Sequence, residues 1–187
     1  MSVMLDIIGS IVLVGMLMVT IVTINSTMTM ETSKDNNTLN TQAELIQVVR
    51  FLEFDLYKIG YRVSKPYITA AETSRIVFKA DLLDKPSGTD VVEYTLGPST
   101  AWSTNSNIRQ LYRTENSSKV TISSKVTKFK FLYYNSRDSL LGAPLSGALL
   151  DSIRAIRVQV RVESAEALDS VYAGGYYENC IRPKNLK

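Results

Sequence analysis

The chain has 187 residues, with 21 Lys and Arg against 18 Asp and Glu, one cysteine and no histidine. The lack of histidine removes the commonest general base and the commonest metal ligand, and a single cysteine excludes an intramolecular disulfide or a thiolate metal cluster. A net charge of +3 without a basic run argues against a nucleic-acid surface.

The charge is unevenly placed. Asp6 is the only charged residue before Glu31, and the first basic residue is Lys34. From Ile7 to Ile24 no residue is charged. As a helix rising about 1.5 Å per residue, this run spans roughly 27 Å, close to the hydrocarbon thickness of a bilayer. A secretory signal peptide has a basic start and a shorter apolar core. Here an acid precedes a longer run, so residues 1–30 are expected to form a retained anchor helix. Within it Gly9, Ser10 and Gly15 are small enough to let helices approach closely. A carboxylate at the edge of such a helix costs free energy unless it finds a partner. Asp6 either sits in interfacial water, where its charge suits the helix N-terminus, or meets a positive group on another chain. With Met1 removed, Ser2 would lead the chain, and its α-amino group in one subunit would neutralise Asp6 of a neighbour.

Residues 31–40, ETSKDNNTLN, read as a polar linker with Asn36 and Asn37 as helix-breaking candidates. A second helix is expected over 41–60. Asn40 or Thr41 would be its N-cap, with Glu44 placed for a capping box. Leu45, Val48, Val49, Leu52, Leu56 and Ile59 follow helical spacing as one apolar stripe, and Gly60 suits the position just past the end. Phe51 and Phe54 fall off that stripe. They either meet a neighbouring subunit or widen the contact with the core.

After Pro66 the period becomes two, and a sheet is expected after residue 70. Ile76 and Phe78 alternate with Arg75, Val77 and Lys79. Val91, Val92 and Tyr94 precede the Gly97-Pro98 turn, and a short strand holds Leu111 to Arg113. Phe129, Phe131 and Tyr133 share one face of a longer strand. Lys119, Lys125, Lys128 and Lys130 read as a solvated strand face. Ile156, Val158, Val160 and Val162 alternate with Arg157, Gln159, Arg161 and Glu163, the clearest half-buried strand. The stretch from Asp138 to Leu150 reads as a loop, and the terminus supplies a last short strand. Residues 41–187 are therefore expected to be an α+β head, an amphipathic helix packed on an antiparallel sheet.

No catalytic residue, metal or cofactor is expected. The turn bearing Asp81, Asp84, Ser87 and Asp90 lacks the spacing of an EF-hand, so calcium is not expected there. Cys180 has no histidine to activate it and reads as a semi-buried free thiol. No P-loop, dinucleotide fingerprint or nucleophile elbow is present, so an enzyme is not expected.

The order of the parts carries a resemblance. An uncharged N-terminal helix bears one early acid. An amphipathic stretch, ELIQVVRFLEFDLYKIGYRV, follows. Then come RIVFKAD, DVVEYTLGP, VTKFKFLYYN, IRAIRVQVRVES and a terminus reading IRPKNL. Over nearly its whole length the chain resembles the type IV pilin and pseudopilin class, especially its larger minor subunits. Asp6 stands where that class usually has glutamate, and neither a basic leader ending in glycine nor a mid-anchor proline is present. The resemblance implies a type IV pilin-like fold and an inner-membrane stage before assembly into an extracellular or periplasmic filament. It also implies partners that are copies of the chain or other pilin-like subunits. Asp6, Gly9, Gly15, Phe51 and Phe54 are the candidate assembly residues. The alternative is a single-pass anchored adhesin or periplasmic accessory domain that does not polymerise.

Overall fold

The computed structural model describes residues 2–83, 88–167 and 170–186. These form one α-helix, α1 (Ser2–Tyr57), a 3-10 turn at Gly147–Ser152 and eight strands. The expected break at 31–40 and the separate helix over 41–60 are corrected: α1 runs through both. No proline or glycine lies between Gly15 and Gly60. Asn and Asp each cost well under about 1 kcal/mol in a helix interior, and propagation of an existing helix is cooperative. Asn40, Thr41 and Glu44 therefore cap no helix start. Past Tyr57 the chain turns, and Gly60 takes φ +75°, with its N–H bonded to the Lys79 carbonyl at 2.9 Å.

The chain divides into two compact units, Met1–Leu39 and Asn40–Lys187. The first consists of α1 alone. The second holds the rest of α1 and all the strands: β1 (Ile68–Ala71), β2 (Arg75–Ala80), β3 (Asp90–Ser99), β4 (Arg109–Glu115), β5 (Ser118–Tyr134), β6 (Leu140–Leu141), β7 (Ala155–Glu163) and β8 (Gly174–Ile181). The architecture is α+β, with one antiparallel sheet in the order β1-β2-β3-β4-β5-β7-β8 and β6 paired to β5. The stretch read as a loop from Asp138 to Leu150 contains β6 and the start of the 3-10 turn.

The 17-residue β5 serves two neighbours. Its first part pairs with β4 and its second with β7, with irregularities beside Leu111 and after Val126. Such bulges bend and twist a strand, which lets one long strand curl the sheet around α1. Alternation then sorts the side chains. Phe129, Phe131 and Tyr133 of β5 and Ile156, Val158, Val160 and Val162 of β7 are buried on the helix-facing side. Phe129 and Phe131 meet edge to face at 4.8 Å between ring centroids. Val48, Leu52, Leu56 and Ile59 enter the same core from the helix side.

Candidate assembly surface

Among the described residues of the first unit no large apolar side chain is buried. From Val3 to Ile24 every large apolar side chain is exposed, the least exposed being Ile24 at 52%. The helix is long and apolar enough to cross a membrane. Asp6 lies exposed on it. A Cβ added to Gly9 or Gly15 would meet nothing within 4 Å, so the chain's own packing does not require either glycine. The polar residues that follow are largely self-satisfied. The hydroxyls of Thr20, Thr23, Thr27, Thr29, Thr32 and Thr38 each donate to the carbonyl four residues back, at 2.8 to 3.0 Å. A hydroxyl already bonded in this way is far less costly to remove from water.

In the second unit α1 has two faces. One is anchored to the sheet by polar contacts that flank the apolar stripe. Asp55, 1% exposed, accepts from the Tyr94 hydroxyl at 2.6 Å and from Arg113 Nε at 2.6 Å, and Arg113 also donates to Glu115 at 2.7 Å. Burial and the neighbouring Asp55 carboxylate push the Tyr94 hydroxyl well above its usual range. Burial works against the charge on Arg113, yet its hydrogen bonds to Asp55 and Glu115 raise its pKa above the ordinary arginine value. Glu44 accepts from the Ser123 hydroxyl at 2.6 Å and the Ser124 N–H at 3.2 Å. On the other flank Glu53 Oε1 accepts from the Tyr177 hydroxyl at 2.5 Å and from Asn179 at 3.1 Å. Burial, and then the bond to Glu53, push the Tyr177 hydroxyl up to about 12. Past Ile59 the C-terminal segment closes over the helix end, Asn185 donating to the Ile59 carbonyl at 3.1 Å.

The outer face of the same segment stays apolar. Phe51 and Phe54 lie outside the core, exposed by 41% and 54%. With Ala43, Ile46, Gln47 and Arg50 they line one depression on the outside of the helix. Two expected side-chain settings are corrected or refined. Cys180 is exposed on β8 rather than semi-buried, because position 180 points away from the helix-facing side of that edge strand. Lys119 and Lys128 stand over Tyr112 and Tyr176, while Lys125 pairs with Glu44 at 3.4 Å. In the turn considered for calcium, Asp81 and Asp90 are buried, and Asp90 accepts from the Leu82 N–H and from Asn116. Asp84 and Ser87 lie outside the described residues. No cluster of three or more metal-ligating side chains occurs among the described residues.

Comparison with protein-family models and with curated proteins returns no match.

Proposed function

We propose that this chain is a structural, non-catalytic subunit of a pilus-like or pseudopilus-like filament. It would sit in the inner membrane through residues 1–30 before assembly, then join copies of itself or related subunits through its N-terminal helix. The observation that carries the reading is that exposed apolar surface does not end with the anchor. An anchor alone needs about 20 apolar residues, yet α1 keeps Met28, Met30, Leu39, Ile46, Phe51 and Phe54 exposed well beyond Ile24. A monomeric single-pass adhesin has no use for that second stretch, whereas a filament buries it. Gly9 and Gly15, which the isolated chain does not need, suit close helix contacts between subunits. The buried ionisable groups support a structural role as well: Asp55, Tyr94 and Arg113 are bonded to one another between helix and sheet.

Asp6 is the test. In an apolar helical bundle an unpaired carboxylate is strongly disfavoured, and no Lys or Arg precedes Lys34, so a neighbour's α-amino group is its nearest cationic partner. Asp6→Ala and Asp6→Asn are expected to leave the subunit inserted and folded but to lower the fraction recovered in sheared filaments. Normal incorporation of both variants would reject the ion pair and leave Asp6 as an interfacial cap.

A further inference from the structure

The outer face of α1 in the second unit carries Arg50 at its centre, with Lys58 just past the helix end, its Nζ 4.9 Å from the centre of the Phe54 ring. Ile46 and Phe54 lie four residues either side of Arg50, and Ala43 and Tyr57 a further three residues out, so all five share one face of the helix. Ile46, Phe54 and Tyr57 are each at least half exposed. Among the described residues the Arg50 side chain has no ion pair or hydrogen bond, unlike Arg75, Arg113, Arg157, Arg161 and Arg182, each of which has a carboxylate partner. An arginine central to an apolar face can be buried in an interface only if the other side brings an anion.

The first unit carries the complementary pattern. Met28, Glu31, Asp35 and Leu39 recur at three- and four-residue spacings, so they form one row on the helix. Met28 and Leu39 are exposed by 61% and 62%, and the two carboxylates between them are exposed. Neither has an ion pair among the described residues. This row is apolar at both ends and doubly acidic in the middle, whereas the outer face of the second unit is apolar with Arg50 in the middle and a second cation, Lys58, over Phe54 at one end. The whole units follow the same trend. Residues 1–39 hold three carboxylates and one lysine, and residues 40–187 hold twenty cationic residues and fifteen acidic ones.

We propose that the Arg50 face of one copy docks on the Glu31–Asp35 row of a second copy, with the guanidinium seated between the two carboxylates and Ile46 and Phe54 covering the flanking Met28 and Leu39. The contact is head-to-tail rather than self-complementary, so it propagates instead of closing into a dimer. It rests on the filament reading and names the surfaces that fit together.

Full-length chains are assembled by detergent removal and scored as the pelletable filament fraction. Arg50→Glu alone, and Glu31→Lys with Asp35→Lys in a second variant, are each expected to lower that fraction about tenfold or more, because each sets like charges against one another across a desolvated contact. Melting of the variants in detergent is expected to match the unaltered chain, since all three side chains are exposed and unpaired within it. Mixing the two poorly assembling variants in equal amounts is expected to restore filaments, since every contact between unlike chains regains opposite charges. If the unaltered chain assembles but the variants do so equally well, or their mixture stays as poor as either alone, this docking is wrong and the filament reading stands. If the unaltered chain forms no filaments, both fall.

Discussion

Residues 7–24 and 41–57 belong to one helix and are both rich in large apolar side chains, yet the chain treats them differently. In the second stretch the sheet takes up the stripe of Leu45, Val48, Leu52 and Leu56, and polar residues at the flanks bind particular strands. In the first stretch nothing is taken up. The glycines tell the same story. A Cβ at Gly175 would lie 2.7 Å from Leu45, while at Gly9 or Gly15 it would touch nothing. The comparison separates residues whose identity the fold of one chain requires from residues whose identity it leaves unexplained. The second group is where a surrounding membrane or a neighbouring subunit has to be sought.

The largest effect expected from breaking this contrast lies at the buried ion pair. Asp55→Ala leaves Arg113, whose side chain is 15% exposed, with Glu115 alone as carboxylate partner, and should destabilise residues 40–187 by about 3 kcal/mol in chemical denaturation. Tyr94→Phe removes one hydrogen bond to the same carboxylate and should cost about 1–2 kcal/mol. Equal losses for the two would mean that Glu115 alone satisfies the charge on Arg113.

Next in size is a paired truncation. Leu52→Ala empties core volume and should cost about 2–5 kcal/mol. Leu17→Ala, on the exposed stretch, should leave the denaturation midpoint of the full chain in detergent within about 0.5 kcal/mol of the original. A comparable loss at Leu17 would show that the first unit contributes to the stability of the second.

Smaller still is the glycine pair of tests. Gly175→Ala overpacks against Leu45 and should cost about 1–3 kcal/mol. Gly9→Ala and Gly15→Ala should stabilise the isolated helix by up to about 1 kcal/mol each while reducing filament yield. Unchanged yield would remove the glycines from the assembly surface.

The least intrusive test is alkaline titration. Tyr94, Tyr133 and Tyr177 all have hydroxyls pushed above their ordinary value, so the folded state holds these protons after the unfolded chain has released them. Their contribution is complete below about pH 10 and should fall away as pH rises towards 12 and beyond. Tyrosinate absorbance and unfolding should therefore rise together. Titration of these tyrosines at ordinary values in a still-folded head would contradict the buried contacts.

Much of this fold was legible in the sequence because periodicity reports burial. Leu45, Val48, Leu52, Leu56 and Ile59 of the stripe, the alternation of Ile156 to Val162 and the shared face of Phe129, Phe131 and Tyr133 all appear in the core, with Val49 partly buried against it. The continuity of α1 was not legible, because Asp35, Asn36 and Asn37 resemble a linker locally while a helix without proline or glycine carries such residues at small cost. Glu44 illustrates a different limit. Its spacing fits a capping box, but its partners Ser123 and Ser124 lie about eighty residues away. The Asp55–Arg113 pair, separated by 58 residues, and the Glu53–Tyr177 bond, separated by 124, arise from sheet topology and leave no local signal. Phe51 and Phe54 were recognisable as off the stripe, and their exposure follows from the helix presenting one face to the sheet.

Electron microscopy of the full chain after detergent removal, beside residues 40–187 under the same conditions, tests the central claim most directly. The account predicts filaments from the full chain and a soluble, folded, monomeric protein from residues 40–187. A full chain that stays as dispersed single particles in lipid, or residues 40–187 that form the same filaments unaided, would contradict it.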